Sequence, residues 1–128
     1  MLPRPYRVRR PDDFRRILRR GRKAGRRRLS VHALAGDDGG SRAGFVVGRT
    51  VGGSVERHRV TRRLRHLVGE RLAGLPDGTA LVVRAHPPAA GSTSAELGAD
   101  LDAALRRLDM SPRPRTAEAS GPVAGGAG

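Results

Sequence analysis

The stretch RTVGGSVERHRVTRRLRHLVGERL, residues 49 to 72, predicts the central element of the fold. A glycine-containing turn opens it, and a helix follows. Apolar residues recur at three- and four-residue spacing, the pattern of a helix docked on a core, at Val60, Leu64, Leu67, Val68 and Leu72. The rest of the helix surface is cationic, whereas a merely solvated helix mixes both signs of charge. This helix is therefore expected to present a basic face to a polyanion.

The whole chain shares this basic character. Its 128 residues hold 26 Lys and Arg against 12 Asp and Glu, a formal net charge of +14 that far exceeds what solubility requires. The absence of cysteine excludes disulfide frameworks and thiolate metal sites. No apolar run approaches the roughly 20 residues that span a bilayer, and aromatic anchors are few. We therefore expect a cytoplasmic protein with no membrane partner.

Proline, glycine and charge divide the chain into three parts. Residues 1–11 are expected to form a basic extended arm, residues 12–108 a single RNA-binding α/β domain, and residues 109–128 a disordered tail. The first helix is predicted to start with Asp12 or Asp13 as its N-cap and to end at Gly21. Ser54 is predicted to cap the central helix, and Thr93 with Glu96 to form a capping box for the last.

Three segments carry strand patterns. Alternation predicts strands at residues 29–35 and 42–48, joined as a β-hairpin through the turn GDDGGS. Residues 79–86 predict a buried strand, so the chain from 42 to 86 forms a βαβ unit through the Arg-rich helix. The predicted class is α+β, a small α/β sandwich of order α-β-β-α-β-α with one further short strand before the central helix.

The sequence contains no credible set of catalytic residues. Nucleotide-binding loops, metalloprotease motifs and nucleophile elbows are absent, and His32 stands alone without partners at metal-ligand spacing. A metal site is not expected, and His32 is predicted to face solvent or RNA. His58 and His66 could serve a metal-free ribonuclease, but they are about 12 Å apart along a helix axis, too far to share one phosphodiester. Binding is the function that remains.

The central helix and its turn resemble the signature of the protein subunit of bacterial ribonuclease P, a glycine turn leading into a helix that begins Arg-Asn-Arg. The matching residues are Gly52, Val55, Arg57, Arg59, Val60, Arg62, Arg63, Leu64 and Arg65. The order of the other predicted elements also follows the family, over roughly residues 4 to 108. The departures are His58 and Gly53 in place of asparagines, Thr50 and Thr61 in place of lysines, and Leu18 and His32 in place of aromatic residues.

The resemblance implies a fold similar to the second domain of ribosomal protein S5, and a protein that binds the catalytic RNA subunit and the 5′ leader of precursor tRNA. Cleavage would then use Mg²⁺ held mainly by RNA, with no catalytic residue or metal ligand on this chain and no protein partner implied. The residues implied in RNA binding are Arg49, Arg57, His58, Arg59, Arg62, Arg63 and Arg65. Those implied in a cleft for the leader are Phe14, Leu18 and His32.

A ribosomal or other structural-RNA-binding protein is the alternative, since it would share the charge and the small core. The turn combined with Arg57-x-Arg59 favours the ribonuclease P family over it.

Overall fold

Four strands form one mixed β-sheet with helices on both faces. The structure is a computed structural model that describes residues 8, 10–35, 41–76 and 78–109. Its elements, in chain order, are α1 (Pro11–Arg20), β1 (Arg22–Gly25), β2 (Leu29–Leu34), β3 (Arg42–Val46), α2 (Ser54–Leu72), β4 (Ala80–Ala85), a 3₁₀ turn (Pro87–Ala89) and α3 (Ser94–Arg107). The α+β class is confirmed.

The sheet order is β1-β2-β4-β3. β3 and β4 are parallel, which confirms the βαβ crossover through α2, whereas β4 pairs with β2 and β2 with β1 in antiparallel register. The predicted hairpin between β2 and β3 is wrong, because β4 lies between them. Its segment ALVV is fully apolar and almost completely buried, as a strand covered on both faces must be, so it occupies a central position.

The short strand predicted before the central helix is also wrong. Residues 49–51 form a turn in which the Val51 N–H donates to the Gly48 carbonyl at 3.1 Å. The fourth strand is β1, which directly follows α1 and forms the true hairpin with β2. Of its four residues only Ala24 is buried, so β1 has no apolar alternation from which it could be predicted.

Opposite faces of the sheet contact different helices. The larger core lies between the sheet and the pair α2 and α3, where α2 contributes the five apolar residues predicted from its spacing, all of them buried. Strand residues of this core are Ala24, Leu29, Val31, Ala33, Ala43, Leu81, Val83 and Ala85. On the other face, α1 packs Ile17, Phe14 and Leu18 against Val82, Ala80 and Leu34. The sheet therefore separates α2 from α1.

Helix ends follow the sequence with small differences. The capping box of α3 is confirmed, because the Glu96 N–H donates to Thr93 Oγ1 at 3.1 Å and the Thr93 N–H to Glu96 Oε1 at 2.9 Å. The hydrogen bond from the Thr93 backbone N–H lowers the pKa of Glu96. Ser54 is not the N-cap of α2, since Gly53 precedes the first turn. Gly21 ends α1 as predicted, with its N–H bonded to the Ile17 carbonyl at 2.8 Å.

α1 begins at Pro11, with Arg10 as its N-cap, so the predicted capping by an aspartate is wrong. Proline is favoured in the first turn because its missing N–H has no intrahelical partner there. Asp12 and Asp13 lie in that first turn, where their charge suits the helix dipole. The arm before Val8, Arg9 and the tail after Asp109 lie outside the described residues, so the predictions for those segments stay predictions.

Candidate nucleic-acid interface

The start of α2 is fixed by the turn that precedes it. The Gly52 N–H donates to the Arg49 carbonyl at 3.1 Å, and Gly52 has a φ of 151°, which favours glycine. Val51 is 4% exposed and anchors the turn in the core. Arg49 is exposed on this turn, directly before the helix. The local sequence therefore sets both the position of α2 and the place of Arg49 at its N-terminal end.

The outward face of α2 forms a shallow basic concavity. Its lining residues are Ser54, Val55, His58, Arg59 and Arg62. Arg59 contacts Glu56 at 3.3 Å, so part of its charge is compensated at an exposed position. Val55 is 71% exposed, the single large apolar side chain so exposed in the described ranges. An apolar surface among cations suits a ligand that offers both phosphate and sugar or base, as RNA does.

Arg57 and Arg65 occupy the flank of α2 and are partly buried. The Nε atoms of both are buried without a hydrogen-bond partner among the described residues. A buried donor without a partner costs free energy, and neither Nε atom has surface on which an external anion could bind in this conformation. Thr61, between them, donates its hydroxyl to the Arg57 carbonyl at 2.7 Å. A phosphate bound by either side chain would therefore accept hydrogen bonds from its terminal Nη groups.

Arg63 faces a different direction. Its Nη1 donates to the carbonyl of Ser92, in the segment before α3. This side chain therefore helps to hold the two helices together, as Arg71 does at the other end of α2 through Asp102, at 2.6 Å. The hydrogen bond to Asp102 raises the pKa of Arg71, ahead of the opposing effect of burial. Of the residues expected to bind RNA, Arg59 pairs with a side chain of its own helix, whereas Arg63 contacts the segment before α3.

The three residues expected to line a leader cleft share the α1 face of the sheet. Phe14 and Leu18 are half-buried beside Val46, in the smaller core. His32 lies two residues before Leu34 in β2, on the same face, but it is only 6% exposed. The expectation that His32 faces solvent or RNA is wrong, because α1 packs across β2 and β4 on this side of the sheet.

His32 is buried without partners for either ring nitrogen among the described residues. Burial lowers its pKa, and the positive charges of Lys23, Arg84 and His86 lower it further. The ring is therefore neutral near pH 7. The same causes, burial and then Arg84 and Lys23, lower the pKa of His86, whose Nε2 lies 2.9 Å from Ser30 Oγ.

Arg84 and His86 were missed by sequence reasoning. Cross-strand pairing puts Arg84 opposite Ser30 and Val46, so it belongs to the same face as His32 and Val82. Alternation along ALVVRAH does place Arg84 with Val82. The face of the sheet on which these two residues lie depends on the strand order. The predicted hairpin gave a wrong strand order, so that face could not be predicted.

The described residues offer binding groups and no catalytic centre that we can identify. Among them, no group of three or more His, Cys, Asp or Glu side chains is placed so that it could hold a metal ion. His66 contacts Glu70 at 3.3 Å on the exposed surface of α2. No helix in the described ranges is both long and apolar enough to cross a membrane.

The sequence is similar to a known protein family and to individual proteins of that family. The family described as Ribonuclease P matches residues 2–109. A ribonuclease P protein component from Streptomyces griseus is 52% identical over 117 residues, which cover 84% of this chain and 95% of that protein. The one from Acidothermus cellulolyticus is 51% identical over 110 residues, covering 84% of this chain and 92% of that protein.

Two solved structures share the fold. The RNase P protein of Staphylococcus aureus aligns with a TM-score of 0.73 at 23% identity, over 83% of this chain and 97% of that one. The protein of Thermotoga maritima aligns with a TM-score of 0.67 at 23% identity, over 79% of this chain and 96% of that one. At this identity the two structures support the architecture.

Proposed function

The chain belongs to the ribonuclease P protein family, and we propose that it binds the catalytic RNA subunit through α2 and the 5′ leader of precursor tRNA through the α1 face of the sheet. The chain is thus a subunit of an endoribonuclease, and the chemical step belongs to the RNA. Its working place is the cytoplasm, where tRNA precursors are processed.

The observation that carries the proposal is the surface of α2. Five buried apolar residues fix the helix on the sheet, so the backbone positions of its cations are set before any ligand binds. Arg62 projects from the outward face, whereas Arg57 and Arg65 hold buried Nε donors without partners in the described ranges. Preordered cations lose less conformational entropy on binding than flexible ones. Such a face suits the phosphates of a folded RNA.

The sheet supports a role for two surfaces at once. Because α1 and α2 lie on opposite faces, an RNA bound to α2 leaves the α1 face free for a second strand. That face combines the half-buried Phe14 and Leu18 with the cations Lys23 and Arg84. Apolar and aromatic surface beside positive charge is the usual composition of a site for single-stranded RNA.

The role of the protein in catalysis is electrostatic and positional. Arginines that neutralise phosphates lower the repulsion that opposes close packing of RNA strands. In this proposal, any Mg²⁺ that takes part is held mainly by the RNA. The relatives compared above are ribonuclease P proteins, which favours this function over ribosomal RNA binding alone.

Cleavage of a precursor tRNA at low Mg²⁺, with a cognate RNA subunit and with or without this protein, tests the proposal. We expect strong stimulation that requires both components. No stimulation, with the RNA subunit competent at high Mg²⁺, would contradict the function. Affinity of the holoenzyme for precursor tRNA and for mature tRNA tests the leader contact separately, because only the precursor carries the leader.

A further inference from the structure

The turn between β1 and β2 exposes two adjacent arginines. Arg26 and Arg27 are both exposed, and the Arg26 N–H donates to the Leu29 carbonyl at 2.8 Å, which closes the turn. No hydrogen bond or ion pair engages the side chain of either residue in the part of the chain that the structure describes. The two guanidinium groups are therefore available to a ligand.

The next residue, Arg28, anchors this turn to the body of the protein. Its backbone N–H donates to Asp100 Oδ2 at 3.0 Å, and its Nε donates to Ser92 Oγ at 3.2 Å. Its Nη2 lies 3.4 Å from Glu96 Oε2, and its carbonyl accepts the His86 N–H at 2.9 Å. The turn is thus fixed to both α3 and the end of β4.

This anchoring leaves the charge of the turn uncompensated. Glu96 and Asp100 are the acidic groups at this end of α3 that contact the turn, and both are engaged by Arg28. Arg26 and Arg27 are adjacent like charges, and among the described residues neither forms an ion pair with those carboxylates. An exposed pair of like charges on an anchored turn is stabilised when an anion binds it.

The turn is also connected to α2 through one residue. Ser92 accepts from Arg28 Nε with its hydroxyl and from Arg63 Nη1 with its carbonyl. Arg63 lies on α2, so the turn and that helix share an anchor at this end of the sheet.

We propose that Arg26 and Arg27 form a phosphate-binding site for RNA and that Arg28 is a positioning residue which fixes them. The guanidinium fork binds phosphate oxygens in a bidentate manner, and two adjacent forks match successive phosphates of one strand. The strand belongs to the RNA subunit or to the precursor tRNA, which offer the same backbone chemistry. This inference rests on the proposed function.

The test uses the full-length double variant Arg26→Ala/Arg27→Ala with the RNA subunit and precursor tRNA. Both side chains are exposed, so the variant is expected to keep the circular dichroism of the wild type. Affinity is measured against salt concentration in two arms, protein with RNA subunit and holoenzyme with precursor tRNA. We expect the log-log slope of one arm to flatten by about 1.5 units, at about 0.7 to 0.9 per lost phosphate contact.

A change in the first arm assigns the site to the RNA subunit, and a change confined to the second assigns it to the precursor. The matched control is Arg106→Ala/Arg107→Ala, which removes the same charge from the far end of α3, roughly 20 Å along the helix axis from its start. The control is expected to leave both slopes unchanged. The variant Arg26→Lys/Arg27→Lys keeps the charge and should keep the slope.

The proposed site would be wrong if the alanine variant kept the wild-type salt slope in both binding measurements. It would also be wrong if the control variant lost as much of the slope as the alanine variant. Failure of the proposed function is a separate result, since it would appear as an absence of stimulation by the wild-type protein itself.

Discussion

The ring of Phe14 lies directly over Gly44, in the space that a side chain on β3 would fill. A Cβ atom built on Gly44 would be 2.6 Å from Phe14 Cζ and 2.9 Å from Val8 Cβ, well inside van der Waals contact. The close approach of α1 to the sheet therefore depends on the absence of a side chain at position 44.

Replacement Gly44→Ala is expected to displace Phe14 and to lower the free energy of unfolding by about 1 to 3 kcal/mol. Urea denaturation followed by circular dichroism measures the change. The control is Gly48→Ala, because no atom lies within 4 Å of a Cβ at that position. A loss of stability in both variants alike would mean that the Phe14 contact is not its cause.

Removal of the charge on Asp102 is expected to destabilise the packing of α3 on α2. Asp102 accepts two hydrogen bonds from Arg71, at 2.6 and 3.2 Å, and the Arg71 side chain is only 21% exposed. Asp102→Asn should lower the free energy of unfolding by about 1 kcal/mol, because a largely buried guanidinium loses the nearer of its two ionic partners and keeps only Glu70, at 3.6 Å.

The matched control for that change is Asp12→Asn. Asp12 contacts Arg15 at 2.5 Å, but both side chains are highly exposed, so solvent screens the pair. We expect a change below about 0.5 kcal/mol. Equal effects of the two substitutions would show that burial of the ion pair between Arg71 and Asp102 adds nothing to the free energy of unfolding.

Acid is expected to destabilise the free protein through His32. Because burial and neighbouring cations lower the pKa of His32 in the folded state, the unfolded chain binds the proton more tightly. The resulting stability is present above the unfolded pKa of about 6.5 and is lost as the pH falls through and below that value. Lys23, Arg84 and His86 face the ring and contribute no acid that could offset this.

Urea midpoints at about pH 7.5 and pH 5.5 measure the effect. We expect the stability of His32→Gln to depend less on pH than that of the wild type. His86 should account for part of the remaining pH dependence, since its pKa is lowered as well. His58→Gln is the control, because that side chain is exposed on α2. An unchanged pH dependence in His32→Gln would contradict the role of burial.

The combined replacement of Arg57, Arg59 and Arg62 by alanine is expected to weaken binding of the RNA subunit. The log-log dependence of affinity on salt should flatten by about 2 to 3 units, at about 0.7 to 0.9 per lost phosphate contact. The lower end is expected because Arg59 already contacts Glu56. Fluorescence anisotropy with labelled RNA measures this salt dependence. A slope equal to that of the wild type would mean that the interface does not lie on α2.

Several features were determined by the sequence alone. The stripe of Val60, Leu64 and Leu67 has the period of a helix, and the capping box at Thr93 depends on residues three apart. Both predictions are correct because the interactions concerned are local. The basic charge and the Arg57-x-Arg59 motif were likewise sufficient to suggest the family, since composition and motif do not depend on strand order.

The tertiary structure decided the strand order, and with it the surroundings of the second surface. The position of β4 between β2 and β3 depends on contacts among segments that are distant in the sequence. The most apolar strand takes the central position because the centre of the sheet is buried on both faces. That choice buried His32 and put Arg84 beside it. The anchoring of Arg28 by Asp100, 72 residues further along the chain, also depends on folding, because no local pattern relates the two.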